Sequence, residues 1–132
     1  MTASGLTTAA ANRLIDASHG TTTLTAPVGQ QKLALTTTAP SATSAGTKVT
    51  GGSYADQNLT MGSASGTSAA NSAACTYSSM PAATVVGTDE YDSAGTPFRW
   101  WFAQLGTSRT TASGDTLTIA TGAYTTALNP ST

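Results

Sequence analysis

Gly114-Asp115-Thr116-Leu117-Thr118-Ile119-Ala120-Thr121-Gly122-Ala123-Tyr124-Thr125-Thr126-Ala127-Leu128 is the stretch whose reading decides the fold. Leu117 and Ile119 fall on one side, and Thr116, Thr118 and Ala120 on the other. That is the two-residue period of a half-buried strand. Gly122 punctuates, and a second β-prone run, Ala123 to Leu128, completes a hairpin or an arc. The same chemistry, short runs of Thr, Ser, Ala and Gly with almost no charge, extends over most of the chain.

Upstream, Thr84–Asp92 and Phe98–Leu105 read as a hairpin joined by Ser93-Ala94-Gly95-Thr96-Pro97, which has turn chemistry throughout. Alternation puts Phe98, Trp100 and Phe102 on one face, Arg99 and Trp101 on the other. Gln31–Thr38 reads as a strand with Leu33 and Leu35 inward. Ser53–Met61 carries Leu59 and Met61 on one face, and Ala69–Ser78 carries Cys75 and Tyr77 on one face. Thr21–Ala26 is β-branched and ends at Pro27. Ala39–Gly52, Gly62–Ser68 and Gly106–Gly114 read as loops. Residues 4–18 are the helix candidate, with Ser4 or Thr2 as cap, Leu6, Ala10, Leu14 and Ala17 at helical spacing, and Gly20 as stop. The expected fold is mainly β: an antiparallel β-sandwich or jelly-roll-like domain with one short N-terminal helix. The helix occupies 1–20 and the sandwich 21–132 of one compact domain.

A chain of 132 residues fits one domain. Its 39% hydrophobic fraction is largely alanine and only 6% is aromatic, so the core is modest and burial against neighbours would add to it. Charged residues are 8%, against roughly 25% in an average soluble domain. The five basic residues, Arg13, Lys32, Lys48, Arg99 and Arg109, are scattered, which argues against a nucleic-acid groove. No segment has the apolar length to span a bilayer. The N-terminus lacks the features of a signal peptide, so the chain is expected to be made in a cytoplasm and to work as a soluble or assembled protein. Cys75 is the only cysteine; its Ala-Ala-Cys-Thr-Tyr context reads as a buried small hydrophobe.

Little of the chain looks reactive. His19 lies at the expected helix C-terminus with no partner histidine or nucleophile motif. Asp89, Glu90 and Asp92 form the acidic cluster, with Asp89 on one strand face and Glu90 and Asp92 on the other. Neither a calcium-loop spacing nor the aromatic cleft of a glycosidase accompanies them, so they read as a solvated hairpin end. Gly62-Ser63-Ala64-Ser65-Gly66 has Ala where a nucleophile elbow needs Ser. Asn58-Leu59-Thr60 matches a glycosylation sequon, which means little without a secretory signal. These readings assign no catalytic, cofactor-binding or metal-ligating residue. The concentration of contact energy is Phe98-Arg99-Trp100-Trp101-Phe102, since aromatics and Arg dominate interfaces. Candidate interface residues are Arg99 and Trp101, with Leu6 and Leu14 on the docking face of the helix.

Several pieces, in order along nearly the whole chain, resemble a family of small tailed-phage virion proteins common in phages of actinobacteria. They are Leu-Ala-Leu-Thr-Thr-Thr-Ala-Pro (33–40), Ala-Gly-Thr-Lys-Val-Thr-Gly-Gly-Ser-Tyr-Ala (45–55), Asn-Ser-Ala-Ala (71–74), Phe102-Ala103-Gln104-Leu105, and Ser113-Gly114-Asp115-Thr116-Leu117 with Gly122-Ala123. The most specific is Val-Thr-Gly-Gly-Ser-Tyr-Ala, a two-glycine turn and then a strand that starts on an aromatic. The chain departs from the family pattern at Asp56, where a basic residue is frequent, and at Tyr124, where an aliphatic is usual. Proteins of this family are labelled variously as minor capsid, decoration or tail-fibre components.

The resemblance implies a non-enzymatic virion part without cofactors. The first reading is a capsid decoration or minor capsid protein on the capsid exterior. There it would bind the major capsid protein and copies of itself, most simply as a trimer. The alternative is a tail-tip or tail-fibre domain that binds host surface glycans, with Thr-rich loops such as 36–50 and an exposed Trp101 available to stack on sugars.

Overall fold

The computed structural model describes residues 4–128. Its elements are β1 (Ser4–Leu6), α1 (Thr8–Ser18), β2 (Lys32–Thr36), β3 (Gln57–Asn58), β4 (Ser68–Ala70), β5 (Cys75–Met80), β6 (Ala83–Tyr91), β7 (Arg99–Thr111), β8 (Asp115–Ile119) and β9 (Thr125–Ala127). The fold is mainly β, with antiparallel sheets and one short N-terminal helix. One sheet has five strands in the order β1-β7-β6-β2-β3; β4-β9 and β5-β8 are two-stranded ribbons.

The opening stretch forms an arc. β8 pairs with β5 and β9 with β4, so the runs on either side of Gly122 hydrogen-bond to different partners. The core lies between Leu33 and Leu35 of the large sheet and Cys75, Tyr77 and Met80 of β5, with Val49, Leu59, Val85 and Tyr124 closing it. Leu117 and Ile119 pack against this cluster, as their alternation predicts. Cys75 is buried and donates its thiol to the Asn58 carbonyl at 3.4 Å.

The helix is shorter than expected and residues 4–6 are not part of it. They pair with β7, Ser4 opposite Ala103 and Leu6 opposite Trp101. Gly5 is a poor helix former, and the free edge of β7 offers these residues a hydrogen-bond ladder. Ser4 does not cap the helix; Thr7 does, its hydroxyl accepting from the Ala10 amide. Residue 2 lies outside the described residues. Thr7 also ties the helix to its own sheet, its amide donating to the Trp100 carbonyl and its hydroxyl to that of Arg99. His19 takes the C-terminal cap position and Gly20 follows with φ +71°.

Other boundaries moved for identifiable reasons. Thr21–Ala26 forms no strand and is exposed throughout, because Leu24 alone gives it no apolar face to bury. Ser53–Met61 forms a strand only over Gln57–Asn58, with an isolated bridge from Met61 to Asn71. The expected loop after Leu105 is instead part of β7, which continues to Thr111, where β-branched Thr110 and Thr111 pair with Thr84 and Ala83.

The outer face of the large sheet is covered by the loop after β2. Ala34 and Thr36 are therefore as buried as Leu33 and Leu35. This close approach needs two glycines. A Cβ on Gly46 would lie 2.6 Å from the Thr38 carbonyl oxygen, and one on Gly87 would lie 2.5 Å from Pro40 Cδ and 2.7 Å from the Ala103 oxygen.

Candidate functional site: a hydroxyl-rimmed groove beside a buried polar network

The acidic cluster is not a solvated hairpin end. Asp89, Glu90 and Asp92 are 0%, 5% and 3% exposed. A buried carboxylate must be hydrogen-bonded or give up its charge, and the three meet this demand in different ways.

Asp89 rivets the outer loop to the sheet. Its Oδ1 accepts from Arg99 Nη1 at 2.7 Å and its Oδ2 from the Gly46 amide at 2.8 Å. Arg99 Nη2 continues to the Ser41 carbonyl at 2.8 Å. Asp92 organises the hairpin end, accepting from the amides of Val28, Ala94 and Phe98. Burial pushes its carboxyl up, but these amides outweigh that and hold it below the usual carboxylate range.

Glu90 faces the core. Its Oε2 accepts from the Tyr124 hydroxyl at 3.0 Å. Burial raises its carboxyl to about 7, and the Tyr124 hydrogen bond offsets only part of this. Two further tyrosines anchor the same core through their hydroxyls. Tyr77 donates to the Leu33 carbonyl at 2.8 Å. Tyr54 accepts from the Leu35 amide at 2.7 Å and donates to Asp56 at 2.9 Å. Their rings stack with centroids 5.9 Å apart. Asp56 in turn pairs with Lys48 at 2.6 Å. Asp56 and Tyr124 thus both hold their places through tyrosine hydroxyls. The two-glycine turn leads into Tyr54 as an anchor rather than as the first residue of a strand.

The four candidate interface residues separate. Leu6 and Trp101 are direct cross-strand partners and both are half-buried. Arg99 and Trp101 do not share a face. The register slips between Glu90 and Tyr91, so Arg99 pairs with Tyr91 while Trp101 pairs with Glu90. A bulge interrupts the alternation on which the expectation rests. Arg99 turns inward to Asp89, and its side chain is only 13% exposed. Leu14 is half-buried on α1. The helix docks through Arg13, whose guanidinium lies 3.5 Å from the Phe98 ring centroid and 5.5 Å from that of Trp100.

A second irregularity in β7 creates a recess that the sequence reading treated as an ordinary loop. Gln104 pairs with Gly87 and Arg109 with Val85, so Leu105–Ser108 stand opposite Val86 alone. The excursion parts β7 from β8 and opens a groove of about 790 Å³. Its floor is Leu35, Val85, Thr88, Ala103 and Tyr124. Exposed Thr107, Thr110, Thr116, Thr118 and Thr125 surround it, with Arg109 among them. The Thr88 hydroxyl at the floor is buried and has no hydrogen-bond partner. The nearest sequence signal was the run of threonines on the outward side of β8. Among the described residues, no three His, Cys, Asp or Glu side chains converge to hold a metal ion.

No curated protein matches the chain. The family model of podophage GP4 fiber I protein gp80 matches residues 5–127, which spans β1 through β9. The match takes in the paired strands, the docked helix and the groove together, so the chain belongs to the podophage GP4 fiber I protein gp80 family of phage structural proteins.

Proposed function

We propose that this virion protein is a tail-fibre component that contacts host surface glycans, with a structural rather than a catalytic role. The observation that carries this reading is the family match over residues 5–127, whose description names a fibre. The surface is consistent with it: sparsely charged, rich in threonine hydroxyls and opened by a groove suited to small polar ligands. The reading as a capsid decoration protein on the major capsid protein has no comparable support, since the family description names no capsid role.

Assembly from copies of the chain is part of the proposal. Leu6 and Trp101, side by side where β1 forms the sheet edge, are the proposed contact; Arg99 is not, because its guanidinium is held internally. The test is adsorption. An antibody raised against the chain is expected to label the tail and slow attachment to host cells. Labelling of the head with unchanged attachment would contradict the reading.

A further inference from the structure

We propose that the groove between the β7 excursion and β8 binds an acidic saccharide, with Arg109 holding the sugar carboxylate. This rests on the host-surface reading above and gives it a site and a ligand class.

The chain has five basic residues. Arg13 lies on the Phe98 ring, Lys32 donates to Asn58, Lys48 pairs with Asp56, and Arg99 pairs with Asp89. Among the described residues, Arg109 is the one of the five whose side chain makes no hydrogen bond, ion pair or ring contact, and it stands on the groove. In so sparsely charged a chain, an exposed and uncommitted guanidinium beside a recess marks a place for an anion. Its planar donors match a carboxylate in a two-point contact. The one acid of the lining, Asp115, is turned to its own turn, accepting from the Ala112 amide at 2.8 Å.

The groove volume, about 790 Å³, lies within the roughly 300–1,000 Å³ of small-molecule sites. Threonine hydroxyls on both sides donate and accept, as sugar hydroxyls require. The apolar floor suits the C–H face of a sugar ring. Thr88 adds a buried hydroxyl that still lacks a partner, a feature native structures rarely leave unexplained. A protein–protein interface core would instead be rich in aromatics and poor in charge. The exposed lining here holds no aromatic side chain: it is threonine and alanine, with Arg109 and Asp115.

The experiment is calorimetric titration of the full chain with trigalacturonate and, as an uncharged match, maltotriose. Trigalacturonate is expected to bind, more weakly as salt is raised. Arg109→Gln should reduce its affinity about tenfold or more, the effect of losing hydrogen bonds to a charged group. Arg109 is exposed, so the variant should melt like the wild type, which separates lost binding from lost folding. Thr118→Tyr, which narrows the groove, should weaken binding too. Equal binding of maltotriose, indifference to Arg109→Gln, or no binding of either sugar would overturn the inference. So would variants that alter only the oligomeric state, which would make the groove a contact between copies. If the antibody blocks adsorption but virions carrying Arg109→Gln attach normally, the groove inference fails while the host-surface reading stands. If the antibody labels heads and leaves attachment unchanged, that reading itself fails.

Discussion

The Tyr124 hydroxyl donates to Glu90 Oε2 at 3.0 Å inside the core, joining the end of the chain to the middle strand of the large sheet. The Tyr124 amide also donates to the Asn71 side-chain oxygen at 2.9 Å, so its backbone and its ring tip are both fixed. The pair places an ionisable group beneath the groove floor, where Tyr124 is part of the lining.

This pair makes stability depend on pH. In the unfolded chain Glu90 titrates near its ordinary 4.5, and in the folded chain at about 7. Between these values the native state holds the proton more tightly, so the contribution of Glu90 to stability is full below the lower value and is lost as pH rises to about 7. Thermal melts across this window should show a decline that Glu90→Gln flattens. Superimposable profiles would show that Glu90 does not carry it. Asp92 works in a separate window. Its lowered carboxyl contributes above its ordinary 3.8 and loses that contribution as pH falls further.

Asp89 and Arg99 are expected to be the most sensitive polar positions. Arg99→Ala leaves the buried Asp89 carboxylate without its counter-ion and frees the Ser41 carbonyl. Breaking a buried pair in this way costs roughly 3–5 kcal/mol. Denaturant unfolding of the variant should show a loss of that size, far above the cost of Lys48→Ala at the exposed Lys48–Asp56 pair.

Gly87→Ala should destabilise the chain by about 1–3 kcal/mol through overpacking, since the new methyl meets Pro40 and a strand carbonyl. Gly46→Ala should act alike and also disturb the amide that holds Asp89. By contrast Gly95→Ala, with nothing near its Cβ, should be close to neutral. Chemical denaturation of the three variants side by side tests the close approach of the outer loop to the sheet.

Arg13→Ala should loosen α1 without unfolding the sheet. The contact over Phe98 and Trp100 is worth about 0.5–1 kcal/mol, and little else on the helix is buried beyond Ala10. Faster amide hydrogen exchange confined to Thr8–Ser18 is the expected signature.

What was legible in the sequence follows from where local pattern decides structure. Leu33, Leu35, Cys75, Tyr77, Leu117 and Ile119 announced their inward side by simple alternation, and the Ser93–Pro97 turn by its residue chemistry. Alternation failed at the two places where the β7 register slips, because a bulge is fixed by the partner strand and leaves little trace in its own residues. The first slip separated Arg99 from Trp101, and the second opened the groove. The acidic run was misread for a related reason. Its burial depends on Gly46, Tyr124 and Val28, residues distant in sequence that only the fold brings to it. Residues 4–6 looked helical because their apolar spacing fits a helix, while the open edge of β7 that claims them is about a hundred residues away.

The central claim, that this chain is a tail-fibre component, is tested most directly by locating it in the virion. A density map of the whole particle, compared with one from particles labelled with the chain-specific antibody, gives the position. The account predicts added density on the tail, at the low copy number of a fibre. Added density repeated over the capsid lattice would contradict it.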